Sequence, residues 1–362
     1  MFDLECHDIT KRFGALTAVS NVSLDVPSGS FFSILGPSGC GKTTLMRMIA
    51  GFETPTSGDI RLKGKSVVTT PPNKRNVKMV FQHLALFPMM NVGENIAYGL
   101  RCRGAGKTEI AERVRNVLER IGLPDVAYKQ VAQLSGGQRQ RIAIARCMVL
   151  EPDVLLLDEP LGALDLKLRE RMKIELKMLQ SQFDTTFLYI THDQSEALVM
   201  SDNVAVMNGG RFEQIGTPQD LYHKPASGFV AGFVGDSNRW HGKVTSMDGD
   251  RARIDLASGG SVVASMAAPL PVGSAVEVFV RPEAIAVNRA VSNDNVNEIH
   301  GAVDGLLFNG ANSRVLVRSA GGELIEVDTP EAEGTEPLRP HDKVKLTFTH
   351  ARTLGFIQGA KP

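Results

Sequence analysis

The 362-residue sequence has few of the features that mark secreted, metal-binding or nucleic-acid-binding proteins. Its four cysteines, Cys6, Cys40, Cys102 and Cys147, form no CxxC pair and have no partner histidine at metal spacing. We therefore expect reduced thiols rather than a disulfide framework or a zinc site. The 40 Lys and Arg residues equal the 40 Asp and Glu residues. The sequence thus lacks the surplus of positive charge with which proteins attract nucleic-acid phosphates.

Long hydrophobic runs and a leader pattern are also absent. The longest apolar stretches, such as residues 154–157, have the length of a strand, whereas a membrane-spanning helix needs about 18 apolar residues. Residues 1–5 contain no basic segment followed by an apolar one, so no signal peptide is predicted. These observations favour a soluble protein that stays in the cytoplasm.

The composition is that of a globular protein, with 43% hydrophobic and 22% charged residues, and the length predicts two to three domains. Residues 1–235 alternate short apolar runs with longer amphipathic ones such as 43–50 and 109–121. Runs 154–157 and 186–190 are apolar or β-branched on both faces, which is typical of central strands. This first part is predicted to be an α/β domain with a mostly parallel sheet.

Residues 236–362 have a different pattern, in which short alternating runs are separated by Gly, Pro, Asn and Asp. Such a pattern predicts a small all-β barrel or sandwich. Residues 240–244 and 299–303 resemble each other, and each stretch precedes further strand-like runs. We therefore expect two related β units, joined by a polar linker at 290–297.

Residues 36–44 match the phosphate-loop pattern between a predicted strand and a predicted helix. Glycines let the backbone curl so that its N–H groups point at a phosphate, and the helix N-terminus adds positive potential. Lys42 can bridge two phosphates, and the Thr43 hydroxyl can bind Mg²⁺. A chance glycine-rich turn is the alternative, which the strand–helix context disfavours. The predicted nucleotide-binding residues are Gly36, Pro37, Ser38, Gly39, Cys40, Gly41, Lys42, Thr43 and Thr44.

Two adjacent acids, Asp158 and Glu159, end the apolar run 154–157. The first exposed carboxylates after a buried parallel strand emerge at the sheet edge where ligands bind. Asp158 is a candidate for holding Mg²⁺ through water, and Glu159 for polarising the water that attacks a phosphate. Two solvated acids at a strand end are the alternative.

Residues 134–138 read LSGGQ and precede a helical pattern. Ser135 is suited to cap that helix, and Gly136 and Gly137 leave its N-terminus bare, as a second anion site requires. An ordinary capped helix is the alternative, but it gives no reason for either glycine.

With these motifs the sequence resembles the ATP-binding cassette (ABC) family, and within it the ATPase subunits of bacterial importers. The resemblance implies a P-loop NTPase cassette at 1–235 with a helical subdomain at about 85–150. In that family two cassettes face head to tail, and each ATP lies between one phosphate loop and the partner's signature residues, here Ser135, Gly136, Gly137 and Gln138. It implies a homodimer with two composite sites, Mg²⁺ as cofactor and ATP as substrate.

The resemblance assigns roles to four further residues. Phe13 takes the place of an aromatic residue that stacks on adenine, and Gln82 that of a glutamine that contacts Mg²⁺ and the attacking water. His192 matches a switch histidine that contacts the γ-phosphate and holds Glu159. Asp165 matches a loop that crosses the dimer interface, although this loop has Leu161 where many relatives have Ser.

The resemblance also implies membrane partners. Residues 83–90 correspond to a groove that receives a short helix from each of two transmembrane permease subunits, with a buried core segment as the alternative. The resemblance further implies an indirect partner, a periplasmic solute-binding protein. The chain is accordingly expected to be peripheral at the cytoplasmic face of the inner membrane.

The C-terminal part, 236–362, resembles the TOBE-type OB-like accessory domain of such importers, through residues 229–235 and 280–283. Its 236–238 sequence favours the spermidine/putrescine-like or aminophosphonate-like groups. Uptake of sugar, iron(III), thiamine or sulfate is the alternative. A soluble ABC ATPase acting on nucleic acid is a different alternative, disfavoured because the about 50 residues between 82 and 134 are too few for a coiled-coil arm.

Overall fold

The computed structural model describes residues 1–162, 164–288, 295–310, 312–330 and 338–359. The chain forms two compact units, Met1–Asp220 and Leu221–Pro362. The domain boundary expected after residue 235 therefore falls within the second unit. The linker expected at 290–297 lies mostly outside the described residues.

The first unit combines two sheets with helices. Its strands are β1 (Phe2–Phe13), β2 (Leu16–Pro27), β3 (Phe31–Leu35), β4 (Ser57–Leu62), β5 (Lys65–Ser66), β6 (Val77–Val80), β7 (Val154–Asp158), β8 (Thr186–Thr191), β9 (Asn203–Asn208) and β10 (Arg211–Gly216). The helices of the chain are α1 (Lys42–Ala50), α2 (Val92–Cys102), α3 (Lys107–Arg120), α4 (Gly136–Met148), α5 (Leu166–Phe183), α6 (Gln194–Met200), α7 (Pro218–His223) and α8 (Gly228–Phe233).

The larger sheet has the order β10-β9-β3-β8-β7-β6, and its neighbours from β9 to β6 run parallel. Residues 154–157 of β7 are completely buried, and β8 is buried along its whole length. Helices on both faces of a parallel sheet require strands that are apolar on both sides. The predicted parallel α/β core is therefore confirmed, and its strands β3, β7 and β8 all end at one edge.

A four-stranded antiparallel sheet, β2-β1-β4-β5, accompanies the parallel one and was not predicted. In β1, Leu4, Cys6 and Ile9 are buried while Glu5 and His7 are partly exposed. This alternation is irregular, because the β1–β2 register shifts between Cys6 and Ile9, and Asp8 has a φ of 50°. A β-bulge of this kind breaks the two-residue period by which strands are found in sequence.

Helices α2, α3 and α4 pack together around apolar side chains such as Ile96, Val117 and Ile142. Asn91 and Glu94 form a capping box at the start of α2, which fixes where that helix begins. These helices occupy the part of the chain, about 85–150, where a helical subdomain was expected.

Among its described residues the second unit is all-β apart from short helices, as predicted. Its strands are β11 (Asn238–Asp248), β12 (Arg251–Leu256), β13 (Ser261–Met266), β14 (Ala275–Val280), β15 (Ala286–Val287), β16 (Val296–Asn309), β17 (Asn312–Ser319), β18 (Leu324–Pro330), β19 (Lys343–Thr349) and β20 (Thr353–Ile357). The strands β11-β12-β13-β20-β14 close a barrel, and β15-β19-β16-β17-β18 form a five-stranded sheet.

The barrel and the five-stranded sheet exchange their last strands. Strand β20 follows β19 in the chain but closes the barrel, and β15 follows β14 but pairs with β19 in the sheet. Two buried asparagines reinforce this exchange. The Asn238 side chain, at the start of β11, bonds to the backbone N–H and C=O of Glu326, each at 2.8 Å. The Asn297 side chain, at the start of β16, bonds in the same way to Val263, at 2.7 and 2.9 Å.

Candidate nucleotide-binding site

Most of the sequence-predicted site residues lie at the carboxyl edge of the parallel sheet. The phosphate loop follows β3, Asp158 and Glu159 follow residues 154–157 of β7, and His192 follows β8. Since β3, β8 and β7 are successive neighbours in the sheet, their ends bring these three segments together. This edge is where open α/β sheets bind ligands.

The phosphate loop requires glycine at two positions on steric grounds. A Cβ atom on Gly36 would lie 2.2 Å from the Met207 carbonyl oxygen, and one on Gly41 would lie 2.5 Å from the Ala18 carbonyl oxygen. Gly41 also has a φ of 111°, a conformation that L side chains rarely adopt. The loop backbone is thus pressed against β2 and β9, and α1 begins directly after it at Lys42.

The Lys42 side chain is 5% exposed and lies within the loop. Its Nζ donates hydrogen bonds to the carbonyl oxygens of Gly36 at 2.7 Å and Pro37 at 3.0 Å. The Cys40 thiol is 3.8 Å from the same ammonium, and its burial raises the pKa of the thiol. A positive charge is therefore held where the loop and the N-terminus of α1 can receive an anion.

The carboxylates of Asp158 and Glu159 occupy different environments. Burial, and secondarily the charge of Glu159, raise the pKa of Asp158, while Arg47 and Lys42 act in the opposite direction. Glu159 has a φ of 44° and donates its N–H to the Ile190 carbonyl oxygen of β8. Left-handed backbone at a non-glycine residue is energetically unfavourable and is concentrated at functional sites.

Glu159 and His192 are in direct contact, with Nδ1 of the histidine 3.1 Å from Oε1 of the glutamate. The His192 side chain is 57% exposed and that of Glu159 24% exposed, so both can reach a ligand above the sheet edge. The predicted pairing of these two residues is therefore present in the structure.

Two further predicted residues follow or end other strands of the first unit. Gln82 follows β6, and its Nε2 lies 3.9 Å from the position of a Cβ built on Gly162, close to the loop after Glu159. Phe13 ends β1 at the hairpin turn, is 45% exposed and has the Lys11 ammonium 4.7 Å from its ring centroid. An exposed aromatic face beside a cation can accept a stacked ring.

The signature residues form a separate feature at the start of α4. Ser135 caps the helix by accepting from the N–H of Gln138, whose side chain accepts from the N–H of Ser135. A Cβ on Gly136 would lie 3.3 Å from Leu164, and one on Gly137 would lie 3.2 Å from Met172. Side chains of α5 and of the residue two positions before it therefore leave little room at both glycines, a packing contribution that the sequence alone did not reveal.

Asp165 caps α5, since its Oδ1 accepts from the Leu168 N–H at 3.0 Å. Leu161 is completely buried in the core rather than presented on the surface. The substitution of Leu for the more usual Ser is therefore compatible with the packing of this chain.

Comparison with known proteins identifies the family. Residues 19–162 match the family model described as ABC transporter, and residues 278–356 match that of the TOBE domain. The spermidine/putrescine import ATP-binding protein PotA of Pseudomonas aeruginosa strain UCBPP-PA14 is 49% identical over 91% of this chain and 91% of the relative. Its counterpart in Rubrobacter xylanophilus is 46% identical over 97% of this chain and 93% of the relative. The chain belongs to the ABC transporter ATP-binding family.

A solved structure supports the same assignment for the cassette. The cbiO1 protein of Clostridium perfringens, part of the ABC transporter complex cbiONQ, is 29% identical with a TM-score of 0.57. The match covers 62% of this chain and 92% of that one. None of the described helices of this ABC protein is both long and apolar enough to cross a bilayer.

Sequence reasoning missed the residues that hold the 83–90 segment of this ABC cassette in place. Asn95 of α2 is completely buried; its Oδ1 accepts from the Phe87 N–H at 2.8 Å, and its Nδ2 donates to the carbonyl oxygens of Phe87 and Met90 at 3.1 Å. Arg146 of α4 donates to the carbonyl oxygens of Leu84 and Ala85. A polar side chain inside a helix carries no sequence signal for such contacts.

Proposed function

We propose that this chain is the ATP-hydrolysing subunit of a bacterial ABC importer, and that its transported solute is a polyamine. The Glu159–His192 pair beside the phosphate loop is the observation that carries the catalytic part of this proposal. The names of the relatives, which span nearly the full chain, support the solute. A related small cationic or aminophosphonate solute would be recognised by the same kind of complex.

In the proposed site the phosphate loop binds the ATP phosphates. The loop N–H groups and the N-terminus of α1 offer hydrogen-bond donors to the phosphate oxygens. On ATP binding, Lys42 exchanges its bonds to Gly36 and Pro37 for the β- and γ-phosphates. Phe13 stacks on the adenine.

The donor set at the sheet edge fits Mg²⁺, which prefers oxygen ligands. The Thr43 hydroxyl, the Asp158 carboxylate and the Gln82 amide oxygen would hold it. Burial and, secondarily, the charge of Glu159 raise the pKa of Asp158, and a bound cation would stabilise the ionised carboxylate against both. When bound, the ion supplies charge stabilisation to the phosphate oxygens.

Glu159 is the proposed catalytic residue for water activation. Its carboxylate accepts a proton or hydrogen bond from the attacking water, and its contact with His192 fixes its direction. His192 is exposed enough to contact the γ-phosphate, so that a correctly bound ATP and a correctly oriented glutamate depend on the same side chain.

Each ATP is completed by a second copy of the chain. The bare N-terminus of α4, with Ser135, Gly136, Gly137 and Gln138, offers donors to the γ-phosphate bound by the partner. Asp165, at the start of α5, lies at the proposed dimer interface. A homodimer then has two equivalent sites, and binding and hydrolysis close and open it.

The proposed dimer docks on two permease subunits at the cytoplasmic face of the membrane. Within residues 83–90, Met89 is 93% exposed, while Leu84 and Leu86 pack partly against the core. The segment is apolar and adaptable, and hydrogen bonds from Asn95 and Arg146 hold its backbone in place. Such a segment can bind a helix supplied by a membrane partner.

The catalytic proposal is tested with Glu159→Gln, which keeps the size of the side chain but removes the base. We expect hydrolysis to fall by about 100-fold or more while ATP binding is retained, so that the ATP-bound dimer accumulates. Single-turnover hydrolysis and size-exclusion chromatography with ATP measure the two effects. Hydrolysis by Glu159→Gln at the wild-type rate would contradict the assignment. As a control, Lys42→Ala is expected to weaken ATP binding itself.

The solute is tested by uptake of labelled spermidine and putrescine in a strain that lacks the gene. Wild-type chain restores uptake and Glu159→Gln does not, if the proposal holds. Restored uptake of a sugar, iron(III), thiamine or sulfate, with no change in polyamine uptake, would overturn the solute and leave the ATPase proposal standing.

A further inference from the structure

A buried carboxylate lies directly behind His192. Glu196, in the first turn of α6, is 3% exposed. Its Oε2 accepts a hydrogen bond from the Tyr189 hydroxyl at 2.7 Å and one from the Thr191 hydroxyl at 2.5 Å. Both donors are on β8 and are themselves buried. Burial, together with Glu196, raises the pKa of Tyr189 well above its usual value, so its hydroxyl remains a donor.

The Thr191 hydroxyl links Glu196 to the turn that contains His192. Because it donates to Glu196, its oxygen is free to accept, and it accepts from the Asp193 N–H at 2.9 Å. Thr191 and Asp193 flank His192 on both sides. The Asp193 side chain in turn caps α6 through the N–H groups of Ser195 and Glu196, at 2.8 and 3.3 Å. The backbone around His192 is therefore tied to one buried carboxylate.

We propose that Glu196 is a positioning residue for hydrolysis, which fixes the His192 turn through the Thr191 hydroxyl and so holds His192 against Glu159. The inference rests on the proposed ATPase function, because it acts through His192. A buried carboxylate that loses a hydrogen bond is destabilised, so a shift of the turn that breaks the Thr191 bond to Glu196 is unfavourable. The Glu159–His192 contact of 3.1 Å is thereby kept ready for ATP.

The first experiment compares steady-state hydrolysis by full-length Glu196→Leu, Glu196→Gln and Thr191→Val proteins. Leu removes the acceptor, whereas the Gln carbonyl oxygen can still accept from both hydroxyls. Val keeps the shape of Thr191 but removes the link to Asp193. We expect kcat to fall roughly 10-fold or more in Glu196→Leu and Thr191→Val, to stay within about three-fold in Glu196→Gln, and KM for ATP to change little.

Ser33→Ala is the matched control. The Ser33 hydroxyl is fully buried and bonds to that of Ser201, at the opposite end of α6 from His192. Its removal costs the same helix a partly buried hydrogen bond but leaves the histidine turn intact, so kcat is expected to stay within about two-fold. An equal loss of kcat in Ser33→Ala would mean that α6 merely needs stability, and would overturn the inference.

A double-mutant cycle separates positioning from a general structural role. If Glu196 acts through His192, adding Thr191→Val to His192→Ala lowers kcat no further, whereas independent effects multiply. Multiplied losses would contradict the inference. The proposed function is tested separately by His192→Ala alone. Hydrolysis at the wild-type rate there overturns the role of His192, whereas a slow His192→Ala beside a fully active Glu196→Leu overturns only the role of Glu196.

Discussion

The ionised Asp158 carboxylate destabilises the folded chain when no nucleotide is bound. Burial and the adjacent Glu159 raise its pKa above the usual value of 3.8. Below that value the carboxyl is protonated in both folded and unfolded chains. As the pH rises, Asp158 ionises first in the unfolded chain, so the free energy of unfolding falls between pH 3.8 and the raised pKa. Above the raised pKa the full loss of stability due to the buried charge is present.

We therefore predict that Asp158→Asn stabilises the nucleotide-free chain at pH 7 while it abolishes hydrolysis. Asn has the same shape without the buried charge, and we expect Tm to rise by about 1–3 °C. The gain should disappear near pH 3.5, where the Asp158 carboxyl is mostly protonated in both the folded and the unfolded chain. Calorimetry at both pH values measures the effect. The exposed Asp125→Asn serves as control, and an unchanged or lower Tm for Asp158→Asn at pH 7 would refute the prediction.

The site residues differ in how well the sequence predicts them. The phosphate loop, Asp158 and Glu159 are predictable because their chemistry depends on residue type and on the ends of parallel strands. Glu196 is not, since an acid in the first turn of a helix is common for reasons of the helix dipole alone. Only the burial of its carboxylate, and the hydroxyls that point at it from β8, reveal a second role.

At the scale of elements, α2 supports the 83–90 segment through the hydrogen bonds of Asn95 and through Tyr98, whose ring centroid lies 4.7 Å from that of Phe87. Asn95→Ala leaves the partly buried Phe87 N–H and the carbonyl oxygens of Phe87 and Met90 without this partner. We predict a loss of about 1–3 kcal/mol in the free energy of unfolding and faster hydrogen exchange in residues 83–90. ATP binding at the phosphate loop should persist.

Denaturant unfolding and exchange measured by mass spectrometry test this role of Asn95. Met89→Ala is the control within the same segment, since a side chain that is 93% exposed contributes little to stability. If Asn95→Ala exchanges no faster than Met89→Ala in residues 83–90, the segment is held by other contacts and the prediction fails.

The antiparallel strands of the first unit were not predicted, whereas its parallel strands were. The parallel strands are short and wholly apolar, so their pattern is plain in the sequence. Strands β1 and β2 are long, half exposed and interrupted by register shifts, and their pairing is specified only by the partner strands. Bulges such as that near Asp8 shift the inward-facing positions, and periodicity alone cannot follow them.

At the scale of the second unit, the two halves that repeat in the sequence exchange strands with each other in the structure. Because β20 closes the barrel and β15 extends the sheet, neither half contains all the strands of its own structure. Asn238 and Asn297 occupy equivalent positions two residues before Trp240 and Ile299, and each clamps a strand of the other half. The sequence indicated the repeat but not the exchange, since swapped and unswapped strands have the same hydrophobic pattern.

The exchange predicts that the two clamps are energetically equivalent and that both stabilise the barrel. Each of Asn238→Ala and Asn297→Ala leaves a backbone N–H without its partner, on Glu326 or Val263, and should destabilise the second unit by about 1–3 kcal/mol. Trp240 is the single tryptophan of the sequence and lies in the core of this unit, so its fluorescence reports the unfolding of the barrel. Asn312→Ala, at an exposed position of β17, is the control. Asn297 is the second residue of β16, in the other half. If the fluorescence midpoint of Asn297→Ala moves no further than that of Asn312→Ala, the halves unfold independently and the prediction fails.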